Sequence, residues 1–151
     1  MIKGVLQPVL RLWFLLSRPI TMGIRGICLD KETNTVLLVK HTYSEGWSLP
    51  GGGVEPGESA LFALEREMRE EVGVKFKSAN VVAVYHNASI SKRDHVVIYT
   101  VEDWHRKLVY ELPQLEISEA AWWELDSMPK DLTPCTTYAL GELAKMLGRT
   151  L

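Results

Sequence analysis

Residues 52–74 read GGVEPGESALFALEREMREEVGV, and this stretch decides how the rest of the chain is interpreted. It opens with a glycine-rich turn, and a helix is predicted to begin at about Ser59 and Ala60 and to end at Gly73. At about 100° per residue, the apolar side chains of this helix share one sector that can face a core. They are Leu61, Leu64, Met68 and Val72.

Three acids occupy a neighbouring sector of the same helix: Glu67, Glu70 and Glu71, at spacings i, i+3 and i+4. Like charges at this spacing destabilise an isolated helix by about 0.2–0.5 kcal/mol, so the acidic face predicts a partner that neutralises it. Clustered carboxylates usually bind hard divalent cations, and Mg²⁺ takes further oxygens from a substrate's phosphates. Arg66 is placed to reach Glu70 across one turn, or to hold Glu67 by a bidentate contact.

Nine positions of the stretch match the Nudix box, G-x5-E-x7-R-E-U-x-E-E-x-G-U with U aliphatic: Gly52, Glu58, Arg66, Glu67, Met68, Glu70, Glu71, Gly73 and Val74. Every specified position is filled in one register, so the chain resembles the Nudix hydrolase family. The resemblance implies an α+β protein with the Nudix fold, an α/β/α sandwich with a mixed β-sheet between helices. The plain alternative, a surface helix with solvated glutamates, does not explain the glycine turn, the arginine or the terminal glycine.

The resemblance also implies roles for individual residues. In similar proteins, the glutamates matching Glu67, Glu70 and Glu71 bind the metals, and the carbonyl matching Gly51 adds a ligand. The arginine matching Arg66 orients the glutamate next to it. The implied cofactor is Mg²⁺, with Mn²⁺ as the alternative.

Similar proteins also use a glutamate from outside the box, in a loop shortly before a strand that carries tryptophan. Glu116 precedes Trp122 in the run LEISEAAWW, which resembles that arrangement, and Glu119 is the reserve candidate. The plain interpretation of Glu116 is a solvated loop acid. We assign the general base to Glu70, with Glu67 or Glu116 as alternatives.

Several residues around the acidic face are candidates for support or for substrate contact. Gly52 and Gly53 allow backbone groups to approach a metal or phosphates closely. Glu58, near the helix start, suits the helix dipole and is a supporting candidate. Tyr43 and Trp47 are candidates to stack on a base, with packing as the alternative. Three basic residues are candidates to hold distal phosphates, with ordinary surface roles as the alternative: Arg25, Lys40 and His41.

The length and charge of the chain limit the classes of partner that we expect. A chain of 151 residues has the length of one domain and buries a real core. A net charge of -2 gives no general attraction to nucleic acid or to anionic lipid. We therefore expect a nucleotide-type small-molecule substrate and no specific nucleic acid, with a capped RNA end left open. Cys28 and Cys135 read as small buried residues rather than a disulfide or metal pair, which fits a reducing cytoplasm.

Residues 1–20 form a separate apolar segment ahead of a single domain over residues 21–151. The segment carries three basic residues, Lys3, Arg11 and Arg18, and no acid. It is too short for a transmembrane helix, and Pro8 suits a helix start better than a helix interior. The favoured interpretation is an amphipathic helix packed on the domain or on a second subunit of a homodimer. Contact with a membrane surface is the alternative.

The rest of the chain predicts strands interleaved with one internal and one terminal helix, which implies a sheet covered on both faces. The predicted strands are Thr21–Leu29, Thr35–Lys40, Val81–Tyr85, His95–Val101, a short one at Leu108–Leu112, and Ala120–Leu125. The third and fourth are expected to pair as a hairpin. Thr133 offers an N-cap with Pro134 at the first helical position, and the helix is predicted to end at Gly148. Its predicted apolar stripe is Leu140, Leu143, Met146 and Leu147.

The leading functional hypothesis is a Mg²⁺-dependent hydrolase that cleaves a nucleoside diphosphate linked to another moiety. The subgroup proline of ADP-ribose hydrolases is absent, since Ile90 and Ser91 stand in its place. The tyrosine of diadenosine polyphosphate hydrolases and the coenzyme A hydrolase signature are also missing. Nucleoside triphosphates, nucleotide sugars and capped RNA ends stay open. The alternative is a catalytically silent Nudix domain that binds a nucleotide or a protein partner; an isoprenoid diphosphate isomerase lacks a supporting cysteine arrangement.

Overall fold

The computed structural model describes residues 2–17, 19–106, 111–113 and 115–149. Within these residues the helices are α1 (Ile2–Ser17), α2 (Ala60–Val72) and α3 (Pro134–Met146). The strands are β1 (Thr21–Asp30), β2 (Thr35–His41), β3 (Trp47–Ser48), β4 (Val74–Lys75), β5 (Ser78–His86), β6 (Asp94–Glu102), β7 (His105–Arg106) and β8 (Ile117–Glu124).

A six-stranded mixed sheet forms the centre of the molecule. Its order is β3-β2-β1-β6-β5, and β8 pairs with β2 away from this path. β1 and β6 run parallel, whereas the other pairs in this sheet are antiparallel. The predicted hairpin is confirmed, because β5 and β6 are antiparallel neighbours. The mixed sheet and the α+β class are therefore as expected.

The two core helices cover opposite faces of this sheet. Leu64, Met68 and Val72 of α2 are fully buried in one core cluster, together with Ile24 and Leu37 of the sheet. A second cluster joins α3 to the opposite face through Ile27, Leu38, Trp47, Leu140 and Leu143. Alternate strand residues enter different clusters because successive side chains point to opposite faces of a sheet. The predicted α/β/α sandwich is confirmed.

The observed helix boundaries agree with the prediction more closely than the observed sets of buried apolar residues do. Thr133 is the N-cap of α3 and Pro134 its first residue, as predicted; the helix ends at Met146, and the predicted stop residue Gly148 follows with a left-handed φ of 65°. Leu61 of α2 is 45% exposed, so it is not part of the core. Met146 and Leu147 are likewise exposed, since they lie at the end of the helix where the packed residues stop at Leu143 and Ala144.

Two short elements differ from the strand predictions. β4 and β7 form a separate two-stranded antiparallel sheet, which the sequence did not predict. The predicted strand at Leu108–Leu112 falls mostly outside the described residues, and Leu112 is not in a strand. Cys28 and Cys135 are both buried and free, as expected.

The N-terminal segment forms a helix, as predicted, with one difference. Pro8 lies inside α1 rather than at its start, although its missing N–H removes one bond from the helix. The side chains from Pro8 to Ser17 are exposed, and packing of the helix on the domain stays a prediction. Packing on a second subunit and contact with a membrane surface stay predictions. Among the described helices, none is long and apolar enough to cross a membrane.

Candidate active site

The acidic helix α2 is fixed at both ends by local chemistry. At its start, the Ser59 hydroxyl accepts a hydrogen bond from the Phe62 N–H at 3.2 Å. At its end, Gly73 adopts the left-handed conformation with φ of 68° and donates its N–H to the carbonyls of Arg69 and Met68. Such caps satisfy backbone groups that a helix end leaves unpaired. The predicted boundaries of this helix are confirmed.

The glycine loop before α2 is held along β1 by backbone hydrogen bonds. Three N–H groups donate to carbonyls across this junction: Ile24 to Gly52 at 2.8 Å, Gly26 to Pro50 at 2.9 Å, and Val54 to Met22 at 2.8 Å. The loop therefore extends the sheet locally, and its backbone has a defined position relative to α2.

Glu71 is the inner acid of the face, and it is only 3% exposed. Its Oε2 accepts from the Gly51 N–H at 2.8 Å, and its Oε1 lies 3.0 Å from His41 Nε2. Gly51 has a φ of 139°, which favours glycine, and a Cβ there would collide with the carbonyl of Ile24. The Gly51 carbonyl accepts from the Arg25 guanidinium. The inner acid thus ties α2, the glycine loop and β2 together.

Arg66 connects the outer acids. Its Nε and Nη2 donate to the two carboxylate oxygens of Glu58 at 2.9 and 3.0 Å. Its Nη1 donates to Glu67 at 2.6 Å and lies 3.8 Å from Glu70. Nη2 also donates to the Gly53 carbonyl at 3.2 Å. The bidentate contact predicted for Glu67 is therefore made with Glu58 instead, and this hydrogen bonding lowers the pKa of Glu58.

Glu67 lies between Arg66 and the glycine loop. A Cβ placed on Gly52 would stand 2.6 Å from Glu67 Cδ, so the carboxylate occupies the space that any other residue at position 52 would fill. Burial raises the pKa of Glu67; the hydrogen bond from Arg66 opposes this, and the negative charges of Glu71 and Glu70 add to it. Burial is thus the main reason that this carboxylate holds its proton more tightly, and the neighbouring acids add to it.

Glu70 is the outermost acid, with 54% of its side chain exposed. Its Oε1 accepts from the Arg69 guanidinium at 3.1 Å. The three acids of the predicted acidic face therefore have very different environments, although their spacing in sequence is that of one face. Glu70 is the one that solvent reaches most readily.

Glu116 and Tyr43 approach the same region from the far end of β2. Glu116 comes directly before β8, and its carbonyl accepts from the Thr42 N–H at 2.9 Å. Loss of hydration, followed by the negative charge of Glu71, raises the pKa of Tyr43; Glu116 and Glu67 add to this, and Arg25 opposes it. The negative charges of Glu116, Glu71 and Glu67 thus all act on the Tyr43 hydroxyl. Glu116 is exposed, and its role as a further metal ligand stays a prediction.

A cleft of about 300 Å³ opens beside the glycine loop. It is lined by the start of β1, by Tyr43, by Gly52 and Gly53, and by the hairpin between β5 and β6. Asp94 also lines it and accepts hydrogen bonds from Thr21 Oγ1 at 2.7 Å and Asn87 Nδ2 at 2.8 Å. Small-ligand pockets begin at about this size. The cleft places a binding space next to the acidic face.

Lys40 faces the side of the sheet on which α3 packs, where Trp47 is buried. It pairs with Trp47 in the strand register, its Nζ stands 4.8 Å from the centre of the Trp47 ring, and it forms an ion pair with Asp131 at 3.6 Å. Glu119 pairs with Lys40 across β2 and β8 and therefore shares that face. Lys40 is thus engaged with Asp131 and Trp47, and its phosphate contact and the reserve role of Glu119 stay predictions.

His41 and Trp47, candidates for contact with phosphates and with a base, are both buried. His41 is buried against Glu71, so it positions a carboxylate and does not reach a distal phosphate from there. Trp47 is buried in the α3 core and packs edge-on against Trp123, with ring centres 5.3 Å apart. It does not offer a face for stacking. Arg25, by contrast, both lines the cleft and binds the glycine loop.

The donor set of the acidic face suits a divalent cation. Carboxylate oxygens beside a glycine loop are hard ligands, and burial, with a smaller addition from the charges of Glu71 and Glu70, raises the pKa of Glu67. Among the described residues, however, the carboxylates do not converge as three ligands around one point. Glu67 faces Arg66, and Glu70 faces Arg69. Gathering them around an ion requires rotation of the exposed Glu70 side chain.

Sequence reasoning missed the contacts that depend on long-range pairing. The bonds from His41 to Glu71 and from Arg25 to Gly51 join residues distant in sequence. Two glycines in β1 carried a usable signal. A Cβ at Gly26 would collide with Met68 of α2, and one at Gly23 would press on the Gly52 carbonyl. Small residues in a predicted strand indicate such close approaches.

Comparison with known proteins agrees with this geometry. The family model described as NUDIX domain matches residues 20–140. A diphosphoinositol polyphosphate phosphohydrolase 2 from Rattus norvegicus is 36% identical over 88 residues, covering 53% of this chain and 49% of that protein. An RNA pyrophosphohydrolase from Ruthia magnifica subsp. Calyptogena magnifica is 41% identical over 58 residues, covering 38% of this chain and 32% of that protein. The chain spans about half the length or less of these curated relatives.

Solved structures share the fold. A MutT NUDIX hydrolase from Burkholderia pseudomallei superposes with a TM-score of 0.73 at 23% identity, covering 83% of this chain and 98% of that one. A NUDIX hydrolase from Nitrosomonas europaea gives a TM-score of 0.70 at 21% identity, covering 87% and 91%. The family match extends over more than half of the chain and includes the capped acidic helix, the glycine loop and the sheet that holds them. The chain belongs to the Nudix hydrolase family.

Proposed function

We propose that the protein is a Mg²⁺-dependent hydrolase, with Mn²⁺ as the alternative ion, that cleaves the phosphoanhydride bond of a nucleoside diphosphate linked to another moiety. One observation carries the proposal. The carboxylates of Glu67 and Glu71 are held against the glycine loop, with Arg66 bridging the outer acids beside an open cleft.

The residues suited to hold the cation are Glu67, Glu70 and Glu71 of α2, with Glu116 from the start of β8. A divalent cation would neutralise charge on the phosphates and make a water more acidic. The Gly51 carbonyl, predicted as a further ligand, already accepts from Arg25, so a cation there competes with the guanidinium. Arg66 keeps Glu67 oriented towards the loop through its own anchorage on Glu58.

Glu70 is proposed as the general base that takes a proton from the attacking water. Its exposure lets water reach it, whereas both oxygens of the buried Glu71 are engaged with Gly51 and His41. Glu67 has one oxygen against Arg66 and is the second choice. Glu116 is the third, because it lies on a different element from the other acids.

The cleft beside the loop is proposed to hold the nucleoside part of the substrate. Its volume suits a small group, and Tyr43 offers an aromatic surface beside Arg25. Of the described residues that line it, Arg25 is the one cation and Asp94 is an anion. A highly phosphorylated inositol requires more positive charge than this, so a nucleotide fits better, although relatives of the chain are named for diphosphoinositol polyphosphates and for RNA.

The test is hydrolysis of a substrate panel with Mg²⁺ or Mn²⁺, with chelator as the blank. The panel contains nucleoside triphosphates, nucleotide sugars, RNA with a 5′-triphosphate and an inositol pyrophosphate. Glu70→Gln is expected to lower kcat by about 10²–10⁴-fold, since it removes the proposed base and a metal ligand. Glu65→Gln is the matched control, because Glu65 lies exposed on the same helix beside Arg69 and Lys75, away from the cleft.

Each outcome separates the alternatives. Activity that needs the ion, prefers nucleotides and is lost in Glu70→Gln but kept in Glu65→Gln supports the proposal. Faster hydrolysis of the inositol pyrophosphate or of RNA overturns the substrate class while keeping the chemistry. No activity by the wild-type protein on any member of the panel favours a silent domain that binds a nucleotide or a protein partner.

A further inference from the structure

Helix α1 exposes an unusual amount of apolar surface. Seven large apolar side chains of this helix are 42–72% exposed: Val9, Leu10, Leu12, Trp13, Phe14, Leu15 and Leu16. Ile20, two residues before β1, is also exposed. Monomeric soluble proteins rarely leave contiguous apolar patches of this kind in water, and such patches usually mark an interaction surface.

We propose that α1 is an amphipathic anchor that docks the protein on an anionic lipid surface, lying in the plane of the headgroups. This inference does not depend on the catalytic proposal. It follows from three features of the helix: the breadth of its apolar surface, its charge, and its length.

The apolar surface is too broad for a single helix contact. Leu12 to Leu16 are five consecutive apolar residues, and at about 100° per residue they extend well beyond one narrow stripe of the helix. A second copy of the chain would cover one stripe roughly 100° wide and leave the remainder in water. A lipid interface accepts a broad apolar face together with Trp13, since tryptophan favours the headgroup level.

The charge of the segment favours anionic lipid over a second copy. Residues 1–20 contain three basic residues and no acid, whereas residues 21–151 contain 14 basic and 19 acidic residues. Positive residues next to an apolar helix are attracted to anionic headgroups. Two such helices packed on each other bring no opposite charges together within residues 1–20. Arg11 also rims an apolar groove formed by Phe14, Leu15, Pro19 and Ile20, where a cation stands beside apolar side chains.

The length of α1 is that of a helix that lies on a membrane. Its 16 residues span about 24 Å, less than the roughly 30 Å of a hydrocarbon core. Pro8 further interrupts its hydrogen bonding. The helix therefore satisfies the requirements of interfacial docking and not those of crossing. Since Thr21 lines the cleft, few residues separate the anchor from the proposed binding space.

The experiment is vesicle flotation with the full chain. The vesicles contain phosphatidylcholine alone, or phosphatidylcholine with about one-third phosphatidylglycerol, which supplies the negative surface that basic residues recognise. We expect at least about tenfold more protein on the anionic vesicles, and a loss of binding at high salt. Trp13 should shift its emission to the blue on binding; Trp13→Phe provides the reference, because the chain has five tryptophans.

Matched variants distinguish binding through α1 from non-specific adsorption to the vesicles. Leu12→Gln/Leu16→Gln should reduce anionic binding about tenfold or more, because apolar burial supplies much of the affinity. Val81→Gln should not, although Val81 has the same 58% exposure as Leu12. All three proteins should have the same urea midpoint and circular dichroism spectrum, which reports that they are folded.

Two results would overturn the inference. One is the absence of binding to anionic vesicles at low salt, or binding that Leu12→Gln/Leu16→Gln leaves unchanged. The other is a concentration-dependent dimer in sedimentation that the same substitutions abolish while vesicles capture nothing. That second result identifies a second copy of the chain as the occupant of α1.

Discussion

Glu70 and Glu71 are adjacent in sequence, yet they occupy contrasting environments. Glu71 is 3% exposed and is bonded to the Gly51 N–H and to His41. Glu70 has more than half of its side chain in solvent, near the guanidinium groups of Arg66 and Arg69. The inner acid is part of the core that joins three elements, and the outer acid is part of the surface.

The contrast shows that adjacent acids of one motif serve different needs, one the stability of the fold and the other the chemistry at the surface. A buried carboxylate with two hydrogen bonds must keep its partners, because an unpaired buried polar group is costly. An exposed carboxylate contributes little to stability and is available for chemistry. The inner position should therefore be sensitive in folding, and the outer position in activity alone.

The largest expected effect is on the inner acid. Glu71→Ala removes the acceptor of the Gly51 N–H and of His41, both inside the core. We expect the free energy of unfolding to fall by about 3–5 kcal/mol, as when one partner of a buried pair is removed. Urea denaturation in the presence of a chelator measures it. Glu70→Ala is the control and should change the same quantity by no more than about 1 kcal/mol. Equal losses in the two variants would contradict the division into inner and outer acids.

The second effect concerns the glycines beside the outer acids. A Cβ at Gly52 would displace the carboxylate of Glu67, which is the movable end of a flexible side chain. Gly52→Ala should therefore lower kcat/KM about 10²-fold, as a displaced catalytic group does, while the fold is largely preserved. Steady-state kinetics on the best substrate of the panel measures it.

Gly53→Ala is the matched control for this change. A Cβ at Gly53 meets nothing within 4 Å, so its kinetics should stay near those of the wild-type protein. If both alanines have the same effect, the glycine loop acts through flexibility and not through the space that it leaves for Glu67.

The parts of this site that sequence could predict are those set by neighbouring residues. The boundaries of α2 follow from Ser59 and Gly73, which act within one turn of the helix. The pairing of Arg66 with acids on the same helix was also predictable in outline, since residues four apart are neighbours. Glu58 accepts from Nε and Nη2 of Arg66; it lies eight residues away, and its position depends on the loop before the helix.

The faces of β2 could not be predicted in the same way. Lys40 and His41 are consecutive, and they point to opposite sides of the sheet. Which of them faces α2 depends on the register with β8, which shifts between these two residues. A shift of one residue exchanges the faces, so a pattern of charged residues at a strand end does not settle which one meets the site.

The third effect tests the link between the outer acids. Arg66→Lys keeps the positive charge and loses the planar fork that binds both oxygens of Glu58 together with Glu67. We expect the free energy of unfolding to fall by about 1–2 kcal/mol. Arg69→Lys is the control, because the exposed contact from Arg69 to Glu70 should be worth less than about 1 kcal/mol. A loss in Arg69→Lys as large as that in Arg66→Lys would show that the fork geometry is not what matters.

The smallest expected effect comes from Glu67 and Glu58, two glutamates that bind Arg66 and whose pKa values are shifted in opposite directions. Burial raises the pKa of Glu67, whereas hydrogen bonding to Arg66 lowers that of Glu58. Below the ordinary glutamate pKa of about 4.3, the folded and unfolded chains both carry the proton on Glu67. As the pH rises, the unfolded chain releases this proton first, so Glu67 reduces the free energy of unfolding until the raised pKa is passed.

Glu58 acts in the opposite direction. Its contribution to stability is present above the ordinary pKa and is lost as the pH falls through its lowered pKa in the folded protein. Relative to the wild-type protein, Glu67→Gln should therefore gain stability between about pH 4 and pH 7, and Glu58→Gln should lose stability between about pH 3 and pH 7. Urea denaturation at several pH values, with chelator present, measures how each substitution changes the free energy of unfolding with pH. Glu65→Gln is the reference and should show no such dependence. Slopes of the same sign would contradict the opposite pKa shifts of these two glutamates, one set mainly by burial and the other by hydrogen bonding to Arg66.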